Sequence, residues 1–302
     1  MTICAPTIMQ PLPIRWPLRL YMLVNRIRFD EALNCAGYSS SEVSEHIATY
    51  LKQVINRLQG EGIDVKTGRI NYAHLASSPT FSEYERLTHA LQRFNPSTLS
   101  SLEERLAFWI NLYNTLTIHA VIAYGIRRRI TEIRGIFDRA AYIIGGLRFS
   151  LNDIEHGILR ANAGHPAFPG PQFSRHDPRY KLVLSHLDPR IHFTLVCASV
   201  SCPPIGVYQT ENIDQQLTVA AHNFLTHGGL KLDKETMTVS LSRLFSWYAS
   251  DFGGSLLGYR KQGNLLRGIA PFIPNPDERE FILQHADRLK VRFQKYNWSL
   301  NV

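Results

Sequence analysis

The sequence predicts an α+β fold, in which a central buried helix packs on a small, mostly antiparallel sheet and an N-terminal helical section precedes both. Residues 104–125, ERLAFWINLYNTLTIHAVIAYG, are apolar almost all round, the pattern of a helix enclosed by other elements. Short extended runs turn back at Gly145-Gly146 and around residues 233–236, the signature of hairpins. Helical periodicity recurs on both sides of those runs, which segregates helices from strands as α+β folds do.

The 302 residues are 44% apolar, enough to bury a sizeable core. No repeat, low-complexity tract or Gly/Ser linker divides them. The expected organisation is therefore a helical section over residues 1–60 packed on one α+β domain over residues 61–302. Four cysteines, Cys4, Cys35, Cys197 and Cys202, form no even, closely spaced framework, so a reducing, cytoplasmic location is expected. Pro11, Pro13, Arg15, Pro17 and Arg19 interrupt the N-terminal apolar residues, and no apolar run reaches the roughly 20 residues of a membrane span.

A formal charge of +8 would suit an acidic partner, but no recognition motif accompanies it and nucleic acid is not expected to bind. The one tight cluster, Arg127 to Arg129, follows a helix end, where cations offset the helix dipole.

Taken in order, residues 15–29 read as a basic amphipathic helix, with Leu20, Leu23, Val24 and Ile27 on one face and Arg15, Arg19 and Arg26 on another. The stripe is short, so it is expected to dock on the domain; contact with a membrane surface is the alternative. Ser39 and Glu42 have capping-box spacing ahead of a helix through Leu58. VKTGRINY supplies two short extended pieces around a Gly turn, and Phe81, Tyr84, Leu87, Leu91 and Phe94 recur as a helix. Ser101 and Glu104 cap the central helix. Asn111, Asn114, Thr115 and His119 make a polar stripe on it, and buried amides must find partners.

AYIIGGLRFSL is a hairpin, LNDIEHGILRAN a short helix, IHFTLVC a strand and GLKLDKETMTVSLS a second hairpin. Helices then return in IDQQLTVAAHNFL, LSRLFSWYASDF and the stretch beginning at Asp277. The Pro- and Gly-rich segment 164–179 reads as a surface loop able to cover a site.

Several strings occur together: FWINLYN at 108–114, SLNDIEHGILR at 150–160, DPRIHFTLVCASVSCPPI at 188–205, LSRLFSWY at 241–248 and YNWSLN at 296–301. Together they resemble the bacterial branch of the family known as domain of unknown function 547, from about residue 60 onward. The resemblance implies no activity. Plant members carry an added coiled coil and are regarded as interaction proteins; this sequence has no such heptads.

Cys202 is the leading candidate for chemistry. It lies in a loop at the end of the expected strand, ahead of the stiff Pro203-Pro204 pair, and a displayed thiol suits nucleophilic catalysis if its pKa falls below about 8.5. Cys197, inside the strand, reads as a small buried hydrophobe. The candidate bases are His156, beside Glu155, and His192. The latter sits at the far end of the strand, roughly 16 Å from Cys197 at about 3.3 Å per residue. Asn111 and Asn114 are expected either to orient the base and bind an oxyanion, as an amide does in Cys-His-Asn enzymes, or to pin the central helix.

Three functional readings follow. The first is a cysteine-dependent hydrolase or acyltransferase acting on a peptide or small-molecule amide, ester or thioester. The arrangement also resembles papain and transglutaminase architectures, although there the thiol begins the central helix. The second is a non-catalytic module that binds a protein partner. The third is a structural zinc domain using Cys197 and Cys202 with histidines, for which only one tight ligand pair is present. Phosphate loops, dinucleotide fingerprints, HExxH and GxSxG do not occur, so no cofactor is expected.

Overall fold

The structure is a computed structural model that describes residues 16–35, 47–64, 67–168, 170–255 and 259–302. The Ser39/Glu42 cap and Arg15 lie outside the described residues. The chain forms two compact units interleaved in sequence. Unit 1 holds the described residues up to His186 together with Leu195–Ile213 and Trp298–Val302; unit 2 holds Leu187–Thr194 and Asp214–Asn297.

Unit 1 begins with α1 (Trp16–Val24), α2 (Ile47–Gly62), the short antiparallel pair β1 (Ile63–Asp64) and β2 (Arg69–Ile70), α3 (Tyr72–Ala76) and α4 (Pro79–Ala90). Ser78 caps α4 through its hydroxyl, with Pro79 in the first turn, where a missing N–H costs nothing. The central helix α5 spans Leu102–Ala123. Its N-terminus is the expected capping box: Glu104 N–H donates to Ser101 Oγ at 3.0 Å and Ser101 N–H to the Glu104 carboxylate at 3.1 Å. Of its 22 residues 15 are buried, which is why no polar face exists for water. Among the described residues α5 alone has the length and apolarity to cross a membrane, and 89% of that stretch is buried inside the protein.

After α6 (Ile136–Arg139) come β3 (Ala141–Ile144) and β4 (Leu147–Ser150), an antiparallel hairpin. Gly145 and Gly146 both adopt positive φ, +57° and +76°, as a tight two-residue hairpin turn demands. The hairpin backs α5: Phe149 packs on Trp109 with ring centroids 5.2 Å apart, and Tyr142 Oη meets His119 Nδ1 at 2.8 Å. A π-helical turn, Asp153–Leu159, follows, and all seven of its residues are buried.

In unit 2, α7 (Ile213–Phe224, entered from unit 1) precedes β5 (Leu230–Asp233), β6 (Thr238–Leu241), α8 (Leu244–Trp247), α9 (Gln262–Ile269), α10 (Pro276–His285) and β7 (Lys290–Phe293). β5 and β6 form the expected hairpin. β7 then joins β6 in parallel, which requires the long helical crossover between them. Val239, Leu241, Phe245, Phe252 and Leu265 make the core, which Phe193 enters from Leu187–Thr194.

Four expectations are corrected. The strands fall into separate small sheets of two, two and three strands rather than one. IHFTLVC is not a strand: Pro189–Phe193 is a 3-10 turn capped by the Asp188 carboxylate, so Asx capping and Pro189 override the β-branched composition. The apolar stripe of α1 does not dock as drawn, since Leu20, Leu23 and Val24 are 51%, 67% and 68% exposed, alongside Trp16. α1 instead turns Met22 inward and lays Tyr21 edge-on against Phe168.

The 164–179 segment, fourthly, is anchored in the core. Phe173 and Arg179 are buried, and Phe173 N–H and C=O both bond to the Asn162 side chain. Arg179 pairs with Asp153 and Asp177 and lies over the Phe173 ring. The Asp153 and Asn162 partners lie outside the segment and leave no trace in its composition.

Candidate active site at the cysteine loop

The polar stripe of α5 grips the segment that carries Cys197 and Cys202. Val196 N–H donates to Asn114 Oδ1 at 2.9 Å, just before Cys197. Tyr208 N–H donates to Asn111 Oδ1 at 2.9 Å, and Asn111 Nδ2 donates back to the Tyr208 carbonyl at 2.8 Å. The two amides thus hold both ends of residues 196–208. A second strip holds the middle from another direction: Val200 N–H donates to Ser299 C=O at 2.8 Å and Asn301 N–H to Ala198 C=O at 3.1 Å. Asn301 is itself fixed, accepting the Tyr72 hydroxyl at 2.7 Å and donating to Gly68 C=O at 2.8 Å.

Within that frame Ala198 adopts φ +62°, a left-handed conformation that costs a non-glycine residue roughly 1 kcal/mol and survives only where surrounding contacts impose it. Cys197 N–H then donates to Cys202 Sγ at 3.0 Å. Ser199 Oγ lies 3.3 Å from each sulfur. The two sulfurs are 2.6 Å apart, longer than the ~2.05 Å of a disulfide but far inside ordinary thiol contact. Cys197 is therefore not the fully buried hydrophobe expected. Both thiols are half-buried, within reach of solvent. Cys35, by contrast, is disulfide-bonded, where the cysteine spacing predicts no disulfide framework.

The chemical sense of this arrangement is plain. A backbone N–H directed at a sulfur, with a hydroxyl beside it that can also donate, favours the anionic form, and two thiols this close hold one proton more readily than two charges. Burial first, then the charges of Cys202 and Cys197, push the Tyr72 phenol well above its ordinary value. Tyr72 also lines an open, largely apolar cleft of about 820 Å³, with Asp64, Arg69 and Arg127 at its polar points.

The other expected site residues lie in other groups. Glu155 and His156 sit on the buried π-helical turn. Glu155 accepts the Tyr113 hydroxyl at 3.0 Å, and His156 Nδ1 faces Arg160 Nη1 at 3.1 Å. A guanidinium only donates, so Nδ1 is the acceptor and a neutral His156 carries its proton on Nε2. His165 packs edge-on against it at 4.9 Å. His192 belongs to unit 2, where Nε2 meets Asp251 Oδ2 at 2.8 Å and the ring stacks on Tyr248 at 4.0 Å. Thus the described contacts join Cys202 to Cys197 and Ser199, and Asn111 and Asn114 to the backbone of the same loop. Among the described residues no three His, Cys, Asp or Glu side chains converge as metal ligands do.

From the sequence Cys197 and Cys202 pair only as zinc ligands; their direct contact, and the parts of Ser199 and Tyr72, are not anticipated there. The signal was present in Cys-Ala-Ser-Val-Ser-Cys, whose small residues allow a tight turn, but reading the first cysteine as a strand end kept the thiols apart.

The family described as protein of unknown function, DUF547, matches residues 96–225. The match covers less than half of the 302 residues. The DUF547 match takes in α5, the π-helical turn and the cysteine loop, and so every residue that holds the two thiols except the strip around Ser299 and Asn301 and the Tyr72 beside it. It is narrower than the resemblance drawn from residue 60 onward, and leaves LSRLFSWY and YNWSLN outside. No curated protein and no solved structure matches the chain.

Proposed function

We propose that this protein works through Cys202 as a nucleophilic thiol, a hydrolase or acyltransferase acting on an amide, ester or thioester. The observation that carries the reading is Cys202 Sγ accepting the Cys197 N–H at 3.0 Å, with the Ser199 hydroxyl 3.3 Å away and able to donate, on a loop clamped by α5. A thiolate so stabilised attacks an acyl carbon; the S–acyl bond forms, the bond to the amine, alcohol or thiol breaks and that group leaves with a proton from solvent, and water or a second nucleophile then takes the acyl group and releases the Cys202 thiol. Asn111 and Asn114 serve by holding the loop. The papain-like comparison enters as an analogy of parts: a thiol beside a buried helix, carried by a loop that the helix grips.

Alkylation of the native protein by iodoacetamide from about pH 5 to about pH 9, read at each cysteine by mass spectrometry, tests the premise. Cys202 is expected to react with a midpoint well below about 8.5, and hydrolysis of an aryl thioester is expected to vanish in Cys202→Ala. An ordinary midpoint at Cys202, or turnover unchanged in the variant, overturns the reading. The exposed face of α1, with Trp16, Leu20, Leu23 and Val24, favours a second reading as an interaction module. In that case a partner recovered by pull-down is lost in Leu20→Glu and retained in Cys202→Ala.

A further inference from the structure

We infer that Cys202 and Cys197 form a dithiol–disulfide couple that exchanges with low-molecular-weight disulfides, so that the oxidised loop is a second, closed state of the same site. The inference rests on the reactivity of Cys202 proposed above, but not on acyl chemistry.

Four observations support it. The sulfurs already stand 2.6 Å apart, so bond formation requires a further approach of only about half an ångström to reach ~2.05 Å. The backbone that sets their separation is fixed at Val196 and Tyr208 by α5 and at Ala198 and Val200 by Asn301 and Ser299, so the approach is built in rather than sampled. The left-handed Ala198 is what folds residue 202 back on residue 197. Finally, the thiols are inequivalent: Cys202 Sγ receives the Cys197 N–H, which marks it as the attacking sulfur and Cys197 as the resolving one.

The exchange is written with a disulfide RSSR, of the glutathione type, as oxidant. The Cys202 thiolate attacks one sulfur of RSSR; a Cys202–SR bond forms, the RS–SR bond breaks, and RS⁻ leaves and takes up the proton that Cys202 gave to solvent. Cys197 loses its proton and attacks Cys202 Sγ; the Cys197–Cys202 bond forms and a second RS⁻ leaves and is protonated. Two protein thiols are oxidised and one RSSR is reduced to two RSH. In the closed state Cys202 has no lone thiolate to offer an acyl carbon, so oxidation also shuts the reaction proposed above.

The test uses the full chain in buffers of oxidised and reduced glutathione, quenched with acid and mapped by mass spectrometry at residues 197 and 202. In the native protein, the expected product is the intramolecular Cys197–Cys202 disulfide, without a persistent glutathione adduct. In Cys197→Ser, the adduct on Cys202 should accumulate to at least about tenfold its native level, because nothing resolves it. A stable adduct on Cys202 in the native protein, or two thiols left reduced under buffers that oxidise an ordinary dithiol, overturns the inference. Both outcomes are read without a variant, so misfolding of Cys197→Ser cannot mask them. The two proposals fail separately: Cys202 that alkylates with a low midpoint yet never closes on Cys197 removes only the couple. A disulfide that forms in a protein without thioesterase activity removes only the acyl reaction.

Discussion

Asn111 holds the main chain of Tyr208 at both of its polar groups, accepting its N–H at 2.9 Å and donating to its carbonyl at 2.8 Å. Both partners are buried, so cutting the grip leaves two backbone groups without partners. Asn111→Ala should cost about 2–4 kcal/mol in urea unfolding, and should move the alkylation midpoint of Cys202 toward that of an ordinary thiol as the loop loosens. Asn111→Asp should be no better, because the carboxylate oxygen that replaces Nδ2 faces a carbonyl.

Ser199→Ala removes the hydroxyl 3.3 Å from Cys202 Sγ while leaving the Cys197 N–H in place. Loss of that hydroxyl should raise the Cys202 alkylation midpoint by about half a unit to one unit, with the unfolding midpoint little changed.

Asp138 is buried in unit 1, and its carboxyl is pushed up to about 7 by burial, with Asp153 adding to the rise and the Asn152 amide and Arg148 opposing it. The folded state thus holds this proton more tightly than the unfolded chain. Where the folded group is protonated and the unfolded one is not, stability falls as pH rises, so the loss runs from about 4 to about 7 and amounts to a few kcal/mol. Asp138→Asn keeps an oxygen for Asn152 and cannot ionise. Urea unfolding as a function of pH should be flatter across that window in the variant, and the variant should be the more stable protein at pH about 8.

Gly157 lies on the π-helical turn directly under the Phe173 ring, and a Cβ there would meet ring carbons at distances no packed structure tolerates. Gly157→Ala must displace Phe173, and with it the anchor of the 164–179 segment. The expected cost is about 1–3 kcal/mol, together with faster tryptic cleavage at exposed Arg175 than in the native protein.

Much of the secondary structure was legible because it is local. The Ser101/Glu104 cap, the all-round apolar helix behind it and the Gly145-Gly146 turn each follow from spacing within a few residues. The stripe of Asn111 and Asn114 was also legible as buried amides in need of partners, though not which partners: Val196 and Tyr208 are 82 and 97 residues away in sequence. Illegible features were those that depend on distant contacts. Nothing near residue 290 announces a parallel pairing with β6, and nothing in segment 164–179 announces that Arg179 is spent on Asp153. The α1 stripe misled for a related reason: helical periodicity finds an apolar face, but Tyr21 and Met22, not Leu20 and Leu23, met the neighbouring surface.

The strip around Ser299 and Asn301 that pins Ala198 and Val200 leaves the ribosome about a hundred residues after them. During synthesis the cysteine loop therefore waits, gripped by α5 alone, while all of Asp214–Asn297 is made. The alignment of the two thiols is in this way timed: it is set by residues that emerge well after them, and a nascent chain carries the two cysteines before it carries their geometry.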